Sequence, residues 1–138
     1  MRRLLLVLPL LLLACDSNDT PTFIEPTDLS TFSTELEPLI GSWRLVKSIS
    51  FGFEPQRVAA GDDLPRQTVT FFADSTGFRE YADGTRYPVT FNPGMCGFAG
   101  CDPNSLDTGR YPFGTKGDRL IVFQGHVDGP EEHYERIR

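Results

Sequence analysis

Trp43-Arg44-Leu45-Val46-Lys47-Ser48-Ile49-Ser50-Phe51-Gly52-Phe53 alternates apolar and polar residues along most of its length. Trp43, Leu45, Ile49, Phe51 and Phe53 fall on one parity, and Arg44, Ser48, Ser50 and Gly52 on the other. Period two with an aromatic face predicts a β-strand packed against a core. Lys47 falls on the apolar parity, so the strand bends there or the lysine sits at an opening.

The same pattern continues toward the C-terminus. Thr68 to Ala73 is β-rich, with Val69 and Phe71 on one face, and Asp74-Ser75-Thr76-Gly77 is hairpin punctuation. Phe78 to Tyr81, the turn Asp83-Gly84 and then Tyr87, Val89 and Phe91 extend this into a meander of antiparallel strands. Asn92-Pro93-Gly94 interrupts it, and Gly109 to Phe113 resumes as strand. Thr115-Lys116-Gly117-Asp118 reads as a turn, Leu120 to Gln124 as a strand covered on both faces, and His133 to Ile137 as the last strand. On the N-terminal side, Ser33 or Thr34 can cap a short helical turn that Pro38 and Gly41 end. About seven short strands with turn signals between them, and no long amphipathic segment, predict an all-β sandwich or barrel.

The first residues carry a different signal. Arg2 and Arg3 precede the apolar run Leu4 to Ala14, which Pro9 interrupts and which is too short to cross a bilayer. Together these predict a secretory signal peptide over residues 1–14. Leu12-Leu13-Ala14-Cys15 resembles the bacterial lipobox. That resemblance implies cleavage before Cys15, lipid on Cys15, and a membrane anchor on the exported side of the cell envelope, periplasmic or cell-surface. Asp16 does not decide between inner and outer membrane. The polar stretch after it predicts a flexible tether over residues 15–34, with a root-mean-square span of roughly 25 Å. Residues 35–138 form the domain.

The chain of 138 residues has net charge −6. Loss of Arg2 and Arg3 takes Lys+Arg from 13 to 11 against 19 acids, which leaves −8. An acidic domain has no general attraction for nucleic acid or anionic headgroups. With Cys15 lipidated, Cys96 and Cys101 remain of the three cysteines, in Cys-Gly-Phe-Ala-Gly-Cys. In an oxidising compartment an even pair reads as a disulfide; a redox pair or half of a metal site are the alternatives.

Gly41-Ser42-Trp43, within Leu39-Ile40-Gly41-Ser42-Trp43-Arg44-Leu45-Val46, resembles the Gly-x-Trp signature of lipocalins. Phe71-Phe72-Ala73-Asp74-Ser75-Thr76-Gly77 and Tyr134-Glu135-Arg136 are similar to later features of lipocalin-like domains in small bacterial lipoproteins. The resemblance implies a small antiparallel lipocalin-like β-barrel of seven to eight strands, opened by a short helical turn. It further implies that Trp43 plugs the closed end and that an Arg near the last strand packs on it. Arg136 matches that place best, and Arg138 is the runner-up.

The expected function is a binding module. Lys47, Phe51, Phe53, Phe71, Phe78, Tyr87, Val89, Phe91 and Phe113 could line a pocket for a small hydrophobic ligand, with Lys47 meeting an acidic head. The same aromatics equally read as a packed core. The alternative function is an envelope structural or protein-interaction module with a filled barrel, using the loop Gly94 to Asp107 with Phe98 at its tip. No nucleophile with a base, no phosphate loop and no cofactor motif points to an enzyme. His126, Asp128 and His133 have the composition of a metal set, but turn chemistry explains them more simply, so no metal site is assigned.

Overall fold

A computed structural model describes residues 24–51, 56–93, 96–97, 100–101, 104–107, 111–124 and 129–138. These residues are all-β apart from one helical turn, α1 (Leu36–Leu39), and a single 3-10 turn at Gly61–Asp63. The residue preceding α1 is Glu35, and no side chain caps the turn; Ser33 Oγ instead accepts from the Glu35 N–H at 3.2 Å. The strands are β1 (Gly41–Ser50), β2 (Arg57–Ala60), β3 (Gln67–Phe71), β4 (Thr76–Tyr81) and β5 (Arg86–Pro93). They continue with β6 (Cys96–Gly97), β7 (Gly100–Cys101), β8 (Asn104–Leu106), β9 (Phe113–Lys116), β10 (Arg119–Phe123) and β11 (Pro130–Arg136).

Eight of these run in the order β8-β5-β4-β3-β1-β11-β10-β9, every neighbour antiparallel. The first long strand thus pairs with the last. The two ends of this order approach each other as the sheet curls. Leu106 of β8 and Tyr111, just before β9, exchange backbone hydrogen bonds of 3.0 and 3.2 Å. Phe91 of β5 and Phe113 of β9 meet edge to face at 5.9 Å. The result is a small antiparallel barrel-like sheet of the expected class.

Its interior follows from the register, because cross-strand partners share a face. Trp43, Val69, Phe71, Val89, Phe91, Leu106, Phe113, Leu120, Val122 and Tyr134 form one core with Leu39 and Leu45. Trp43, Phe71, Phe113, Leu120 and Tyr134 are each no more than 1 % exposed, so the end of the barrel near α1 is filled.

β1 breaks its own alternation. Leu45 lies opposite the inward-facing Tyr134, but the register shifts before Lys47, which pairs with His133. This β-bulge turns Lys47 and Ile49 onto the outer face. At the same point β1 changes partner on its other side, from β3 (Gly41 to Arg44) to β2 (Lys47 to Ser50).

Three sequence expectations change. Thr115 and Lys116 belong to β9, and Gly117 forms the turn with φ +60°. β2 and β8, too short to show a pattern, add to the sheet. Finally, the tether expected to run to Thr34 is bound to the barrel wall at several of its described residues. Thr27 donates from its N–H (2.8 Å) and hydroxyl (2.6 Å) to the carboxylate of Glu131, and Ser33 pairs with Thr115 through two 2.8 Å backbone bonds. Phe32 packs over Gly114, where a Cβ would fall 2.6 Å from its own. The strap is ordered because it satisfies a carboxylate that is 1 % exposed and packs Phe32 on Gly114, the cross-strand partner of outward-facing Ile121.

Candidate functional site

The closed end is built on Trp43. Its indole N–H donates to Leu39 O at 2.8 Å, and its ring lies under Arg136, whose Cζ is 4.1 Å from the centroid. Arg136 also donates to Ile40 O (2.8 Å) and Pro38 O (2.6 Å). Gly41 has φ +123°, and a Cβ there would lie 2.8 Å from Arg136 Nη1. Gly41, Trp43 and Arg136 therefore form one unit, with α1 as the floor.

Toward the other end of the strands the interior turns polar. Gln67 Nε2 donates to the Tyr134 hydroxyl at 2.6 Å, and that hydroxyl donates to Glu132 Oε2 at 2.7 Å. Arg79 Nη2 reaches the same oxygen at 3.3 Å, while its buried Nε has no partner. Gln67 and Glu132 are 4 % and 7 % exposed, so this is an internal network joining β3, β4 and β11. Burial, and next the charge of Glu132, push the Tyr134 hydroxyl well above its ordinary pKa. Burial works against the Arg79 charge, but the facing Tyr134 and Glu132 outweigh it and hold the guanidinium protonated.

Two concavities open beside this network and share Tyr81. One, of about 400 Å³, is lined by Arg79, Tyr81, Asp83, Tyr87, Val89 and Asp107 among others. Tyr81 and Tyr87 stand edge to face in its wall at 5.8 Å, with Tyr87 56 % exposed. The other, of about 610 Å³, is a notch where β1 exchanges β3 for β2. Leu45, Val46, Leu64, Pro65, Gln67 and Ala82 line it, with Arg44 and Arg66 also in its wall.

The residues expected to line a pocket are distributed differently. Phe71, Val89, Phe91 and Phe113 face inward but are packed in the core. Among the described residues, Tyr87 alone of the expected aromatics sits at an opening. Lys47 is on the outer face because of the bulge, and Phe51 follows it, packing on Phe123 at 6.2 Å. Phe78 is also outside, since its partners Thr70 and Pro88 alternate with inward Val69 and Val89. There it packs on Phe72 at 5.9 Å and lies under the Arg86 guanidinium. Phe53, Cys15, Phe98, His126 and Asp128 lie outside the described residues. The backbone places Cys96 directly opposite Cys101 in the β6–β7 ribbon. His133 bonds to Glu131 at 2.6 Å, and among the described residues no group of three or more His, Cys, Asp or Glu could hold a metal.

Sequence reading missed Gln67, Arg79, Glu132 and Tyr134. Glu131 and Glu132 precede the last strand expected at His133 to Ile137, yet both lie in β11, one facing the strap and one the interior. Arg79 opposite Val69 was the available signal, because a strand pairing of β3 with β4 puts it on the inner face.

Comparison with protein-family models, curated proteins and solved structures found no match to this chain.

Proposed function

We propose that the protein is a membrane-anchored envelope lipoprotein whose lipocalin-like barrel binds a small hydrophobic molecule at its open end and catalyses no reaction. One observation carries this: the closed end is filled, whereas two concavities meet at Tyr81 above a buried polar network. Pockets of this kind combine apolar walls with a few fixed polar groups. The apolar side of the network is supplied by Leu45, Leu64, Tyr87 and Val89.

In this reading residues 1–14 are the signal peptide, Cys15 carries lipid, and Cys96 and Cys101 form a disulfide. The register of β6 and β7 supports the disulfide, since facing Cα atoms in an antiparallel pair lie within bridging range. The strap leaves eight residues between Cys15 and Ile24, which span at most roughly 30 Å. The barrel therefore works close to the membrane surface, on the exported side.

The filled apolar half of the barrel favours a second reading, an envelope structural or protein-interaction module with no ligand. Thermal melting separates the two. A ligand that binds the folded state raises the midpoint, by an amount set by its concentration relative to Kd. A midpoint that no small apolar molecule moves at saturating concentration supports the second reading.

A further inference from the structure

We propose that the notch at the β1 strand switch is the ligand site, and that its ligand is a small amphipathic carboxylate. This rests on the binding-module reading and names its substrate class.

The notch exists because of the bulge. β1 pairs with β3 only to Arg44 and with β2 only from Lys47, so Leu45 and Val46 are left between two partners. The chain from Gly61 to Arg66 swings away from β1 there, and Leu64 and Pro65 form the facing wall. An acyl or aryl group entering between these walls covers Leu45, Val46, Leu64 and Pro65. Each buried methylene contributes about 0.8 kcal/mol.

Charge selects the head. Arg44 and Arg66 are both exposed members of the wall, and neither has an ion pair among the described residues. This is notable in a chain of net charge −6. The one acid in the wall, Glu80, is engaged by Arg86. Glu135 lies across β11 from Arg44 in the register but makes no ion pair with it, and Asp62 and Asp63 are outside the wall. Two guanidiniums beside an apolar slot fit a carboxylate, which each can meet with two parallel N–H donors. An ammonium head would be repelled, and a neutral head would leave both cations as they are in water.

The test is isothermal titration calorimetry of the full chain in lipid nanodiscs, with protein-free discs subtracted. The probes are octanoate, octylammonium and 1-octanol. Octanoate is expected to bind about tenfold more tightly than 1-octanol, the factor one charge-assisted contact supplies, and octylammonium more weakly than either. Arg44→Gln with Arg66→Gln is expected to bring octanoate to the level of 1-octanol with an unchanged melting midpoint. Equal binding of octanoate and 1-octanol, or a preference that survives the double substitution, overturns the carboxylate assignment and leaves the binding module standing. Binding of none of the three probes overturns both.

Discussion

The guanidinium of Arg136 sits 4.1 Å above the Trp43 ring and at the same time caps the carbonyls of Pro38 and Ile40. One side chain thus ties the last strand, the first strand and the helical turn together. Arg136→Ala should cost about 2–3 kcal/mol, combining the ring contact with two lost charge-assisted bonds. Arg136→Lys should recover only part, because a single ammonium cannot fork to two carbonyls. Trp43→Ala should cost about 3–5 kcal/mol by cavity formation. Urea denaturation measures all three.

Gly41 lets this unit form. Its φ of +123° and the 2.8 Å approach of a built Cβ to Arg136 leave no room for a side chain. Gly41→Ala should lose about 1–3 kcal/mol through backbone strain. It should lose somewhat less in an Arg136→Ala background, where the clash is gone but the strain at this φ remains. A double-mutant cycle reads the coupling.

The internal network makes a prediction of unusual sign. Glu132→Ala should destabilise by about 3–5 kcal/mol, because it leaves Arg79 charged and unpaired. Arg79→Met with Glu132→Leu should be far milder than Glu132→Ala alone. The pKa of Tyr134 is raised on folding, so its contribution is complete below the ordinary value of 10.0 and falls away as pH rises above it. Tyr134→Phe should therefore flatten the alkaline loss of stability seen in urea melts.

Acid should loosen the strap. Burial of Glu131 favours its neutral form, but hydrogen bonds from His133 and Thr27 outweigh that and hold the carboxyl below its ordinary value of 4.5. The contribution is thus present above 4.5 and lost as pH falls through the lowered folded value. Between about pH 6 and about pH 3, Glu131→Gln should lose less stability than the parent. Hydrogen exchange at the Thr27 amide, corrected for the intrinsic rate, should rise in step. An amide equally protected at both pH values would show that the strap is held by other contacts.

The cysteine pair is checked by intact mass. Protein exported by its own host should weigh two hydrogens less than its reduced form, with the difference confined to a peptide holding Cys96 and Cys101. Free thiols at both positions would remove the disulfide.

The sequence shows the barrel more plainly than the site. Alternation in Trp43 to Leu45, Val69 to Phe71 and Leu120 to Val122, with turns at Asp74 and Gly117, is local and survives folding unchanged. The inner face of β1 beyond Leu45 was not legible. A one-residue bulge reverses every side chain after it, and nothing local to Val46 announces it. Lys47 on the apolar parity was its only trace. Phe78 and Phe51 were misplaced for a related reason, since an aromatic on a strand is equally stable on an outer face that other side chains cover. The strap was hidden because its order depends on Glu131, about a hundred residues away. The notch depends on where β1 changes partners, which only the assembled sheet defines.

Carriage of a small molecule is the role proposed for this barrel. Its most direct test is native mass spectrometry of the full chain, released intact from the membranes of its own host. The strap makes the whole chain the right sample, since trimming to Glu35 would take Thr27 from Glu131 and Phe32 from Gly114. The expected result is a stoichiometric extra mass that denaturation releases, belonging to an amphipathic acid. A clean mass of the chain with its covalent modifications alone, from cells in which the protein is functioning, would contradict it and turn the search toward protein partners.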